Sequence, residues 1–149
     1  VSAEAFRPTV LVVDDEEDVV AYLKTVLEDE GIDVLVANDS EAAVERLQER
    51  RPDLVVLDIM MPGHSGLALY RRIRADPATG GVNVIFLSAC SAADAVTAMK
   101  DVSGTEAEAE LVSYFEKPVV LGAFLDKVRS CLGIAAGAPA SSSATQARG

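Results

Sequence analysis

The chain has 149 residues, half of them hydrophobic, with 13 basic against 24 acidic side chains and a formal net charge of −11. A single core forms at this length without disulfide or metal staples, because about two-thirds of the unfolded chain's surface can be buried. The acidic excess excludes sequence-independent nucleic-acid binding and attachment to anionic membranes, both of which need a Lys/Arg footprint.

The first apolar run, Val10 to Val13, is β-branched and nearly continuous, the pattern of a strand buried on both faces in a parallel sheet. Asp14-Asp15-Glu16 follows it. Val19, Leu23, Val26 and Leu27 then fall at i, i+4, i+7 and i+8, which predicts a helix with Gly31 as its stop signal. Val34 to Val36 is a second strand, followed by a helical pattern from Glu41 to Arg50. A third strand, Leu54 to Leu57, ends at Asp58, and a Pro62-Gly63 turn leads to a helix over Leu67 to Arg74. Val84 to Leu87 ends at Ser88 and precedes a helical pattern over 92–102. A weaker fifth run, Leu111 to Phe115, leads through Glu116-Lys117-Pro118 to a helix from Leu121 to Leu132.

The alternation βα, five times over, specifies an α/β fold with helices on both faces of one parallel sheet. From Ala135 onward the sequence AAGAPASSSATQARG holds no large apolar residue, so a folded domain over 7–133 and a flexible tail over 134–149 are expected. Cys90 and Cys131 lie in no CxxC or Cys/His pattern and read as small apolar residues suited to a reducing compartment. No apolar run reaches membrane-spanning length and no signal-type segment opens the chain, so a cytoplasmic protein is expected. A first residue of Val rather than Met predicts an excerpt or a processed product.

Ligands of open parallel sheets bind beyond the carboxyl ends of the strands. Asp14, Asp15, Asp58, Ser88 and Lys117 all follow or end strands, and so gather at that edge. Crowded carboxylates raise one another's pKa unless a cation neutralises them. Mg²⁺ is the natural choice, since it takes one or two carboxylates and a phosphate oxygen. Such a site suits phosphoryl transfer, with a carboxylate as an acceptable nucleophile toward phosphorus and Lys as a long-stemmed point charge. Each piece also has a plainer reading. The acidic triplet suits a helix N-terminus, and Ser88 a turn or cap.

Val10-Leu-Val-Val-Asp-Asp-Glu16, Leu54-Val-Val-Leu-Asp-Ile-Met-Met-Pro-Gly63 with Gly66, Ser88-Ala89 and Lys117-Pro118, in this order, resemble the receiver domain of two-component response regulators. The likeness runs from about Thr9 to Gly133. It implies a doubly wound, flavodoxin-like sheet of five parallel strands in the order 2-1-3-4-5. It also implies that Asp58 accepts the phosphoryl group, that Asp15 and Asp58 ligate Mg²⁺ with the backbone carbonyl of Met60, and that Asp14 holds the ion largely through water. Ser88 would bond a phosphoryl oxygen, Lys117 would pair with the phosphoryl group or with Asp58, and Lys117-Pro118 would be cis. Tyr114 takes the place of an aromatic switch, or simply packs in the core.

The donor implied is a histidine kinase or a histidine phosphotransfer protein, and the recipient a downstream effector or a fused output domain, with phosphorylation-dependent homodimerisation also open. The chain would then be a signalling phosphoacceptor, not an enzyme beyond its own Mg²⁺-dependent phosphorylation and dephosphorylation. A rival is a receiver-like interaction module that works without phosphorylation. A Mg²⁺-dependent phosphohydrolase with an aspartyl nucleophile would place a second aspartate two residues after Asp58, where Met60 stands.

One stretch departs from the family. Ser88 and Lys117 are 29 positions apart, longer than the resemblance implies, with the surplus at Ser103 to Glu110. Thr105 and Glu108 form a capping box there, predicting that one helix ends at Gly104 and a short one follows. An acidic solvated loop is the alternative. Glu106, Glu108 and Glu110 lie near the face through which receivers commonly signal, where they would block the usual dimer or create another interface.

Overall fold

A computed structural model describes residues 7–61, 64–89 and 111–134. Its main sheet comprises β1 (Thr9–Val13), β2 (Asp33–Ala37), β3 (Leu54–Asp58), β4 (Asn83–Ser88) and β5 (Val112–Glu116). All neighbouring strands are parallel, and their order is β2-β1-β3-β4-β5, as the resemblance implies. The helices are α1 (Glu17–Asp29), α2 (Ser40–Glu49), α3 (Gly66–Ala75) and α4 (Leu121–Leu132). A two-residue antiparallel ribbon, Met60–Met61 against His64–Ser65, joins β3 to α3.

Residue parity sorts the core into two layers. Leu11, Val13, Val55, Leu57, Val84 and Phe86 face α2 and α3, where Ala43, Leu69, Tyr70 and Ile73 close over them. Val10, Val12, Leu54, Val56, Ile85 and Leu87 face α1 and α4, against Leu23, Leu27, Phe124 and Val128. Each fully buried aliphatic side chain contributes about 1.5–3 kcal/mol relative to exposure, so central strands with no polar face hold both layers at once.

The helix ends follow local chemistry. Gly31, at φ 82°, closes α1 with its N–H on the Glu28 carbonyl while the Ile32 N–H reaches Leu27, the paired bonds of a Schellman stop. Gly133, at φ 71°, ends α4 the same way. The Asp39 side chain caps α2 by accepting the Ala42 N–H at 2.7 Å.

The predicted Pro62-Gly63 turn, Cys90, the helical pattern over 92–102, the capping box at Thr105 and Glu108, and the tail from Ala135 lie outside the described residues. Among the described residues, no helix is long and apolar enough to cross a membrane.

Candidate functional site

The carboxyl edge of the sheet is built by strands that end in polar residues. β1 runs directly into Asp14, whose N–H donates to the Ala37 carbonyl at 3.1 Å and so fixes the chain just past the last β1–β2 pair. β3 ends at Asp58 and β4 at Ser88, which is one register step beyond the Asp58–Leu87 pairing. Past β5, the Lys117 N–H donates to the Ser88 carbonyl at 2.8 Å, which sets the lysine over the same edge, and the Lys117-Pro118 bond is cis.

Asp14, Asp58 and Ser88 are buried at 0%, 3% and 2% exposure. The Lys117 ammonium lies among three carboxylates: Nζ is 2.8 Å from Asp14 Oδ2, 2.7 Å from Glu16 Oε1 and 3.3 Å from Asp58 Oδ2. Burial disfavours its charge, but the close contacts with Asp14 and Glu16 and the nearby charges of Asp14 and Asp58 outweigh that. The pKa of Lys117 is accordingly raised above the ordinary lysine value.

One ammonium does not satisfy this edge. Asp14 Oδ1 accepts the Glu16 N–H at 2.9 Å, whereas the buried Oδ2 has no hydrogen bond, its contact with Lys117 being close but poorly aligned. Oxygens of Asp14, Glu16 and Asp58 lie within 4.8 Å of one another, a hard donor set of the kind that suits a divalent cation. Asp15, half-buried beside them, falls outside that set. Glu16 belongs to the acidic triplet, in which the sequence pattern assigns it no individual role. Its bond to Lys117 spans 101 positions, a separation that no local pattern signals.

Gly66 explains how the chain turns tightly after β3. A Cβ at position 66 would fall on the Asp58 carbonyl oxygen, so only glycine lets α3 begin this close to β3, with the Gly66 N–H bonded to the Ile59 carbonyl at 2.9 Å. Tyr114 sits half-buried on β5 in the layer facing α2 and α3. Its ring is 5.7 Å from Phe86, which is in turn 5.2 Å from Tyr70.

The model of the response regulator receiver domain family matches residues 10–129. The chain belongs to that family. A DNA-binding response regulator, MtrA of Mycolicibacterium smegmatis, is 41% identical over 86 residues, which are 58% of this chain and 36% of MtrA. The transcriptional regulatory protein PrrA of Mycobacterium leprae is 39% identical over 142 residues, 95% of this chain and 57% of PrrA. Among solved structures, a response regulator receiver protein from Pseudomonas putida superposes with a TM-score of 0.71 at 30% identity, covering 87% of this chain and 99% of its own. The receiver domain of Francisella response regulator 1452 gives 0.70 at 29% identity, covering 85% and 98%. The chain thus matches receiver domains end to end and spans only part of the longer regulators. Its function as a phosphoacceptor receiver domain of two-component signalling follows from this membership.

Proposed function

We propose that Asp58 takes a phosphoryl group from the phosphohistidine of a histidine kinase or a histidine phosphotransfer protein. The P–N bond to the donor imidazole breaks, its electron pair stays on the ring nitrogen, and a P–O bond forms to an Asp58 carboxylate oxygen. The observation that carries this proposal is the buried Asp14 Oδ2 without a hydrogen bond, at an edge where carboxylates outnumber cations among the described residues. Mg²⁺ would be held by Asp15, Asp58 and the Met60 carbonyl, with Asp14 behind a water, and would supply charge neutralisation during an in-line displacement.

The chain's own residues do the rest. Asp58 is held nearly out of water, which limits competing hydrolysis. Lys117 moves its charge from the carboxylates to the phosphoryl oxygens, and the Ser88 hydroxyl donates to one of them. Phosphorylation then shifts the balance between two conformations through Ser88 and Tyr114. The outcome is control of a downstream effector or of a fused output domain, in the cytoplasm. A groove of about 570 Å³ lined by Glu16, Val19, Tyr22, Ala89, Lys117 and Pro118 adjoins the site.

Intact-mass spectrometry after incubation with acetyl phosphate and Mg²⁺ tests the proposal. One added phosphoryl group is expected, on the peptide carrying Asp58, with none when the cation is chelated. An unchanged mass in the wild type would retire phosphoacceptance and leave the phosphorylation-independent interaction module.

A further inference from the structure

Glu16 stands at the N-cap of α1, yet its side chain makes no capping hydrogen bond. It turns instead to Lys117 at 2.7 Å, in an aligned hydrogen bond shorter than the 3.3 Å contact of the same ammonium with Asp58. Its backbone is tied to the site as well, since the Glu16 N–H donates to Asp14 Oδ1. Of the three carboxylates around Nζ, Glu16 alone is exposed, at 59% against 0% for Asp14 and 4% for Asp58.

We propose that Glu16 is a positioning residue that restrains Lys117 at the mouth of the site and competes with the incoming phosphoryl group for its ammonium. This rests on Asp58 being the phosphoacceptor. Lys117 can meet a phosphoryl oxygen on Asp58 only by leaving or sharing Glu16, so each transfer loosens that bond. Because Glu16 keeps most of its hydration, the restraint is weak and reversible, in keeping with the small worth of exposed ion pairs. Buried Asp14 and Asp58 set where the ammonium resides; Glu16 sets how readily it moves between them.

The test is the rate of phosphorylation of the whole chain by acetyl phosphate at saturating Mg²⁺, for the wild type, Glu16→Gln and Glu16→Asp. In each case the P–O bond to acetate breaks, acetate leaves with the electron pair, and the phosphoryl group passes to an Asp58 oxygen. Glu16→Gln removes the competing charge; Glu16→Asp keeps the charge but is one methylene short of the ammonium. Both should react about two- to fivefold faster than wild type, with the same Mg²⁺ concentration at half-maximal rate. A wild-type rate in Glu16→Asp beside a fast Glu16→Gln would mean simple repulsion of the anionic donor and overturn the proposal. So would slower reaction in both, or a raised Mg²⁺ requirement, which would make Glu16 a cation ligand. If the wild type itself gains no phosphoryl group, the acceptor role of Asp58 fails; if it does and neither variant differs from it, only the role of Glu16 fails.

Discussion

The two edges of the sheet use the same residue types to opposite effect. At the amino edge, Asp33 at the start of β2 receives Arg7 at 2.7 Å and Arg50 at 3.3 Å, and Asp53 accepts the Thr9 N–H at 2.8 Å. These carboxylates have partners to spare and stand partly in solvent. At the carboxyl edge, among the described residues, a single ammonium is shared by three carboxylates, two of them buried. A satisfied edge holds strands in register, whereas an edge short of positive charge stores an unfavourable arrangement that a cation resolves.

Removing the Lys117 ammonium should have the largest effect. Lys117→Met takes that charge from buried Asp14 and Asp58 and should cost about 3 kcal/mol of unfolding free energy in chelator. Urea unfolding reads it, and a loss under about 1 kcal/mol would mean that the edge is better hydrated than its burial implies. Gly66→Ala should follow, at about 1–3 kcal/mol, because the added methyl must displace the Asp58 carbonyl. Phosphorylation of Gly66→Ala should slow in step, and a variant as stable and as fast as wild type would contradict the packing.

The amino edge should respond least. Asp33→Asn should destabilise by less than about 1 kcal/mol, and less again in high salt. Hydrogen bonding to Arg7, partly opposed by burial and aided by Arg50, holds the Asp33 carboxyl below its ordinary value of 3.8. A lowered folded-state pKa gives stability that is present above pH 3.8 and is lost as pH falls through the folded value. The gap between wild type and Asp33→Asn seen at neutral pH should therefore close in acid, as denaturation curves across that range would show.

Legibility followed the range of the interactions. Val10 to Val13 and Leu54 to Leu57 announced buried parallel strands because both residue parities are apolar, which only a sheet covered on both faces rewards. Asp14, Asp58, Ser88 and Lys117 were legible because topology alone carries strand ends to one edge. The ribbon at Met60–Met61 and His64–Ser65 was not, since two residues hold no periodicity. The Glu16–Lys117 bond was equally hidden: the acidic triplet satisfies a helix N-terminus without it, and only the folded edge shows which acid turns toward the lysine.

The shortage of positive charge at the carboxyl edge is tested most directly by the unfolding free energies of wild type and Asp58→Asn, each with and without Mg²⁺. Among the described residues, Asp58 has two other carboxylates within 4.8 Å and one ammonium at 3.3 Å. At an effective dielectric constant of about 20, two repulsions of about 3.5 kcal/mol each outweigh one attraction of about 5 kcal/mol. Asp58→Asn should thus be the more stable protein in chelator, by about 2 kcal/mol, and Mg²⁺ should stabilise the wild type by the larger amount, narrowing or reversing the order. An Asp58→Asn variant less stable than wild type in chelator, or Mg²⁺ shifting both proteins equally, would contradict it.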